Sequence, residues 1–444
     1  MSTQRYDVGI VGLGYVGLTL AAAMADVGLT VVGVEKRSDV AQTVAGGQAH
    51  FHESGLDPIL KAVVESGRLI VAERLVNQPQ CDTYIITVGT PLDADGKARL
   101  DMIENASREV ADAMPDCALV LLRSTVKIGT ARNVVRPILE RSGKSFDLAM
   151  CPERTLEGNA LSEIRHLPQI VGADDLRARQ RASELFHRLT SQVLTVSSLE
   201  TAEIIKLADN TFRDVRFGFA NEIARLCDAV GVSANEVIGT GKLGYARTNI
   251  ALPGLVGGPC LEKDPHILRQ SARAFGIDLD ITAAARLVNE RQPIECAEFI
   301  CAELDRRGAP DDAIVDLLGL AFKGVPETDD LRGAMSLHVA AALKRIRPAT
   351  RLRAYDPVVP AEAIRALPHD MAVIAETSDI GRGAAAIVIT NNHPAFGAMS
   401  WSTLSAALGE RGFVYDFWNH FSDIDTVRSQ KSYYAVGSVR KVGK

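Results

Sequence analysis

The chain has no cysteines at CxxC spacing, no apolar run long enough to span a bilayer and no dominant charge. Each absence excludes something. Seven scattered cysteines (positions 81, 117, 151, 227, 260, 296 and 301), with no histidines at zinc spacing, exclude a disulfide framework or a zinc ribbon; they fit thiols in a reducing compartment, and no metal is expected. The N-terminus enters RYDVGIVGLGYVG almost directly, with neither a basic stretch nor a cleavage site, so the expected location is the cytoplasm, with no membrane partner. Lys and Arg number 49 against 55 Asp and Glu, a net charge of -6 well mixed along the chain, which leaves no broad basic face for nucleic acid. An anionic small molecule would be held by a few local cations and helix N-termini.

What the chain does have is length. Its 444 residues, 47% hydrophobic, exceed one ordinary core, so two or three domains are expected. The first part alternates short apolar runs (DVGIVGLG, TVVGVE, TYIITVG, ALVLLRS, DLAMCPE) with helical stretches such as Val16 to Val27, the rhythm of parallel strands and crossover helices. Near residue 197 the style changes. Ser197 and Glu200 form a candidate capping box, and the text reads as helix to about Gly231 with no proline and only Gly218 interrupting, long enough to join two domains. Mostly helical sequence follows to about Gly308, broken by ALPGLVGGPC. AIVDLLGLAF, RLRAYDP, AAAIVIT and FVYDFW then announce a second α/β domain, and the two α/β halves share a candidate layout. Lys431–Lys444 reads as loosely specified.

Gly12, Gly14 and Gly17 of GLGYVG lie between a strand and a helix, where they suit a tight turn, a pyrophosphate against the backbone and a close helix–sheet contact. Glu35 follows about twenty residues on, at the end of the second strand, placed to accept from both ribose hydroxyls. The cofactor expected is NAD. The neighbouring Lys36 and Arg37 leave NADP open.

In GGPCLEKD, two glycines clear the approach to Cys260, and Lys263 is placed to favour a thiolate. A lone cysteine is more often a small core residue, and Asp264 before Pro265 is also a good helix cap. Lys206 and Asn210, at i and i+4, share a face of the long helix, where solvated polar surface is the ordinary account. Glu153 and Glu157 of PERTLEG directly follow a strand at the carboxyl edge of the sheet, where ligands of doubly wound folds bind.

Taken in order, GLGYVG, VGTP (Val88 to Pro91), RSTVKIGT (Arg123 to Thr130), CPERTLEG, KLADN, GGPCLEKD and GLAFKG resemble the nucleotide-sugar 6-dehydrogenases, UDP-glucose dehydrogenase and its UDP-N-acetylhexosamine relatives. The resemblance implies two Rossmann-like doubly wound domains joined by a long helix and a helical dimerisation core: 1–198 for NAD, 199–308 linking and dimerising, 309–444 for the UDP-sugar. It implies four-electron oxidation of a sugar C6 alcohol to the acid, with NAD contacts at Tyr15, Val16, Thr90, Ser124 and Thr125 besides the glycines. Cys260 would be the nucleophile, Lys206 and Asn210 would stabilise an oxyanion, Asp264 would assist proton transfer, Glu153 would activate the hydrolytic water, and Thr125 would position that water or the cofactor. Glu153, Glu157, Lys206, Asn210, Gly257, Lys323 and Arg332 would bind substrate, and Arg247 would reach the site of a neighbouring subunit in a homodimer or higher oligomer.

PGLVGGPC resembles the loop of the acetylhexosamine enzymes, whereas LEKD is similar to the glucose branch. The substrate expected is therefore a UDP-N-acetylhexosamine of mannosamine or glucosamine type, with UDP-glucose the alternative. A β-hydroxyacid or 6-phosphogluconate-type dehydrogenase, which needs no thiol, and a non-catalytic NAD-binding protein are the more distant readings.

Overall fold

Short runs rich in valine, isoleucine and leucine become buried strands, and the alanine-rich segments between them become the helices that cover both faces. A computed structural model describes residues 5–368, 370–421 and 432–438. The chain divides into two compact units, Met1–Asn210 with His266–Asp278, and Thr211–Pro265 with Leu279–Lys444.

In the first unit, strands β1 (Tyr6–Val11), β2 (Val31–Val34), β3 (Leu69–Ala72), β4 (Cys81–Ile86), β5 (Ala118–Leu122), β6 (Phe146–Met150), β7 (Gln169–Gly172) and β8 (Val193–Val196) form one sheet in the order β3-β2-β1-β4-β5-β6-β7-β8. All neighbours are parallel except β6 and β7, which meet antiparallel at Met150 and Gly172. One core layer forms under the Tyr15–Asp26, Leu56–Glu65 and Leu176–Phe186 helices, and the other lies under Asp101–Ala113 and the turn at Ala131–Val135. The order reverses between β1 and β4, which opens a crevice at the carboxyl ends of those strands.

The second unit repeats the plan. Strands β9 (Ile314–Leu318), β10 (Arg351–Tyr355), β11 (Ala372–Val373), β12 (Ala386–Ile389), β13 (Phe413–Asp416) and β14 (Tyr433–Ala435) run in parallel in the order β11-β10-β9-β12-β13-β14. Renumbered from its own first strand, this is the 3-2-1-4-5-6 order of the first six strands of the other sheet, so the shared layout holds. No helix among the described residues is long and apolar enough to cross a membrane.

The long helix runs from Leu199 to Val230. Its cap differs from the expected one: Ser198 Oγ, not Ser197, accepts the Thr201 N–H at 3.1 Å, while the Glu200 carboxylate is drawn to Arg132 Nε at 2.6 Å. The tail also differs. Tyr433–Ala435 is an ordered edge strand because Tyr434 donates its hydroxyl to Glu303 Oε1 (2.6 Å) and Tyr433 to Asp416 Oδ2 (2.8 Å). Residue 431 and residues 439–444 of the segment read as loosely specified lie outside the described residues.

Candidate active site

In the first unit the glycine turn is forced by close contacts. A Cβ on Gly17 would stand 1.8 Å from the Gly12 carbonyl oxygen, so the first helical turn can close on the strand only with glycine there, whereas the space beside Gly14 is open. Thr87 Oγ1 donates to the same Gly12 oxygen at 2.7 Å. Glu35, at the end of β2, accepts from the Leu13 N–H at 3.2 Å and the Arg37 N–H at 3.0 Å, which fixes its carboxylate beside the turn. Val16 lies in the first turn of the following helix. Ser124 donates to the Val88 carbonyl (2.6 Å) and Thr90 to the Thr125 carbonyl (2.5 Å), joining the loops that leave β4 and β5.

Lys206 and Asn210 are buried, not solvated as their ordinary account has it. Glu153 is buried as well, and its partner is a residue that sequence reasoning missed: Arg123 donates to Glu153 Oε2 through Nε (3.0 Å) and Nη2 (2.5 Å). The Arg154 and Thr155 N–H groups donate to Oε1 at 2.7 and 2.9 Å. Burial alone would raise the Glu153 carboxyl, but Arg123, these N–H groups and nearby Lys206 hold it below the usual carboxylate range. Glu153 is thus a fixed anion, and a weak base.

A second missed residue, Glu203, ties the long helix to the Thr125 loop. Its buried carboxylate accepts from the Gly129 N–H (2.5 Å) and the Ala131 N–H (2.9 Å), yet burial outweighs those bonds and pushes its carboxyl up to about 7. A carboxyl raised from 4.5 binds its proton more tightly when folded, so its contribution to stability is complete below pH 4.5 and is lost as pH rises through about 7. The loss is on the order of 3 kcal/mol. Glu203→Gln carries no charge to titrate, so its Tm relative to wild type should climb by several degrees between pH 5 and pH 8, whatever fixed cost the amide brings. A difference in Tm that stays flat over that range would overturn the assignment.

A third missed residue, Glu53, meets the expected NAD contact Tyr15. The Tyr15 hydroxyl bonds to Glu53, whose Oε2 also accepts the Gly158 N–H (2.7 Å) and whose Oε1 accepts the Ala160 N–H (2.8 Å). The glycine turn is thereby linked to the loop that carries Glu153 and Glu157. Burial, with Glu53 alongside, raises the Tyr15 phenol well above its ordinary value, so it stays a donor.

In the second unit, Cys260 lies in a four-residue helix, Gly258–Leu261, where a plain loop is the expectation. Gly258 has φ 88°, and a Cβ there would stand 2.4 Å from the Phe322 ring, so this entry to the thiol requires glycine. Its N–H donates to the Gly333 carbonyl at 2.7 Å, and a Cβ on Gly257 would meet the same oxygen at 2.3 Å. Asp264 begins the next helix and is fully buried, and Lys263 Nζ donates to its Oδ1 at 2.6 Å. Lys323 Nζ lies 5.3 Å from the centroid of the Phe322 ring, Arg332 pairs with Asp330 at 2.6 Å, and Arg247 stacks on Tyr245 with its guanidinium 4.7 Å from the ring centroid.

Three successive family domains match the chain: the NAD binding domain of the UDP-glucose/GDP-mannose dehydrogenase family over residues 6–190, the central domain over 200–291 and the UDP binding domain over 316–423. The chain belongs to the UDP-glucose/GDP-mannose dehydrogenase family. This dehydrogenase is 34% identical to the UDP-N-acetyl-D-mannosamine dehydrogenase of Pyrococcus horikoshii over 408 residues, 90% of this chain and 93% of the relative. The Escherichia coli K12 protein of the same name is 32% identical over 354 residues, 75% of this chain and 81% of the relative. Among solved structures, the UDP-D-ManNAc dehydrogenase of P. horikoshii superposes with a TM-score of 0.87 at 32% identity, over 98% of this chain and 99% of that one. A UDP-glucose dehydrogenase from Pyrobaculum islandicum gives 0.85 at 27% identity over 98% of each.

The enzyme's cofactor is NAD, and the residues present fit it: open space at Gly14 for a pyrophosphate and a carboxylate at Glu35 for the ribose.

Proposed function

We propose that the enzyme oxidises the C6 alcohol of a UDP-N-acetylhexosamine, UDP-N-acetyl-D-mannosamine in the first instance, to the uronic acid. The names of its relatives support the mannosamine substrate. The alternative is UDP-glucose, favoured by the LEKD sequence at residues 261–264 and by the P. islandicum neighbour. NAD, when bound, accepts one hydride at each of the two oxidations.

The thiol makes the second oxidation possible. An aldehyde is a poor hydride donor until a nucleophile adds to it. Thiolate attack on the aldehyde carbon gives a thiohemiacetal on Cys260, loss of hydride gives a thioester, and water then releases the carboxylate and returns the thiol. The surroundings of the other thiols support Cys260 as the nucleophile. Burial pushes the Cys81, Cys151 and Cys296 thiols up to about 12 and Cys301 to about 11, and Cys227 is buried too. Cys117 is exposed but lies at the amino end of β5, the wrong edge of the sheet for ligands. Lys206 and Asn210 would stabilise the oxyanion, Asp264 would assist proton transfer, and Thr125 would position the cofactor or the hydrolytic water. Glu153, held ionised, would orient that water as much as take its proton. Glu157, Gly257, Lys323 and Arg332 would contact the nucleotide sugar.

In this reading residues 1–198, 199–308 and 309–444 serve NAD binding, dimerisation and UDP-sugar binding. A homodimer is supported by Phe212, Phe219, Leu226 and Val230, exposed on one face of the long helix at seven- and four-residue spacing. We place the enzyme in the cytoplasm, in keeping with the absence of disulfides among the described residues.

A screen of UDP-sugars followed at about 340 nm, the reduced nicotinamide band, tests the reading. Two NADH per UDP-N-acetylmannosamine are expected. Preferential turnover of UDP-glucose would move the substrate, and one NADH per substrate would point to a β-hydroxyacid-type reaction. Cofactor choice should follow Glu35, whose carboxylate would repel a 2′-phosphate: kcat/KM for NAD should exceed that for NADP by at least about tenfold. A wild-type preference for NADP would shift the assignment to Lys36 and Arg37.

A further inference from the structure

Behind the Cys260 loop lies a buried polar network between two helices. Asp214 and Asn221 stand two turns apart on the Leu199–Val230 helix, Arg286 and Asn289 one turn apart on the Asp280–Arg306 helix, and none is more than 1% exposed. The helices come close enough because Gly218 lies between the first pair: a Cβ there would be 2.9 Å from Ala285 Cα. Arg286 Nη1 donates to Asp214 Oδ1 and to the Leu261 carbonyl, both at 2.7 Å, and Nη2 donates to the Val256 carbonyl at 3.2 Å. Asn289 Nδ2 donates to Asp214 Oδ1 (2.9 Å) and to the Asp214 carbonyl (3.0 Å), and its Oδ1 accepts from Asn221 Nδ2 (3.0 Å). Asn221 in turn holds both polar groups of the Gly254 backbone, N–H at 3.0 Å and carbonyl at 3.1 Å.

The backbone of the loop is therefore fixed at 254, 256 and 261, on both sides of Cys260. A buried ion pair is a poor source of stability, because apolar residues of the same volume commonly serve as well. What hydrogen bonds shared among these four side chains and the loop carbonyls give is a defined geometry.

We propose that Arg286 is a positioning residue for Cys260: its guanidinium, oriented by Asp214 and Asn289, sets the reach of the thiol by gripping the segment from Val256 to Leu261. The proposal rests on the reading of Cys260 as the nucleophile. Addition to the aldehyde needs the sulfur within about 3.5 Å of the carbon along a defined line, and a misplacement of about 1 Å costs on the order of a hundredfold. The first oxidation uses no thiol. Loss of the grip should therefore slow the second oxidation and spare the first. Lysine keeps the charge opposite Asp214 but has no planar fork to reach both carbonyls.

Arg286→Lys should bind UDP with a dissociation constant near wild type and keep KM for the UDP-sugar within about threefold, while kcat for acid falls at least about tenfold. Hydroxylamine added during turnover should trap sugar aldehyde at the expense of acid, with more than one aldehyde for each acid made. Asn221→Ala, which releases only Gly254, should shift the same ratio less far, and it carries the test if Arg286→Lys does not fold. Variants that bind UDP normally and give aldehyde and acid in the wild-type ratio at wild-type kcat would overturn the positioning role. A Cys260→Ser enzyme that makes acid normally would instead remove the nucleophile reading beneath it, so the two failures are told apart.

Discussion

Cys260→Ser is expected to bind NAD and UDP-sugar about as well as wild type and to form uronic acid at least about a thousandfold more slowly. The loss falls on chemistry because a serine hydroxyl is far less readily ionised than a thiol, and a thiolate is intrinsically more nucleophilic. The alcohol can still lose its first hydride, so the variant should release or retain aldehyde and stop there. Cys117→Ser is the control, since Cys117 is the other exposed thiol among the described residues. It should be indistinguishable from wild type. Acid formation by Cys260→Ser within tenfold of wild type would reject covalent catalysis.

The fold was legible wherever the pattern was long or repeated. β1, β2, β4, β5 and β6 announce themselves as apolar runs beside turn glycines, and the same rhythm in β9, β10, β12 and β13 reveals the second sheet. Of the strands that escaped notice, β3 is only partly buried, β8 is largely unburied and β11 has two residues. β14 stays in place through tertiary hydrogen bonds from its tyrosines, which no local pattern records.

For the candidate site, motif and spacing offered residues but not their surroundings. Spacing put Lys206 and Asn210 on one helical face but could not say that the face is buried, since burial depends on what lies across from it. Arg123 meets Glu153 across adjacent strands, 30 positions apart in sequence, and the bond exists only because β5 pairs with β6. One signal was available. Glu203, Lys206, Asn210, Asp214 and Asn221 fall at steps of 3, 4, 4 and 7, which keeps all five within a narrow stripe of one helix. A solvated stripe usually mixes lysine and glutamate; the two amides and one aspartate that continue this face at Asn210, Asp214 and Asn221 suit fixed hydrogen bonding better. All five are buried.

A mixed dimer of Cys260→Ala and Arg247→Ala chains should recover about a quarter of wild-type activity, although neither parent alone approaches it. Arg247 is exposed, beyond the Ala234–Lys242 helix and among the exposed apolar residues Leu243, Tyr245 and Leu252, a setting that suits a subunit contact better than open solvent. If it serves the partner's site, each site needs Cys260 from one chain and Arg247 from the other. One site of a mixed dimer then combines both defects while the other has both residues intact. Random reassortment of equal amounts makes about half of the dimers mixed, each with one good site of two, which gives the quarter when sites act independently. Native mass spectrometry reports the exchange separately from the activity. Full exchange with activity at the parental level would mean that Arg247 serves its own chain's site or none, and the shared site would have to be abandoned.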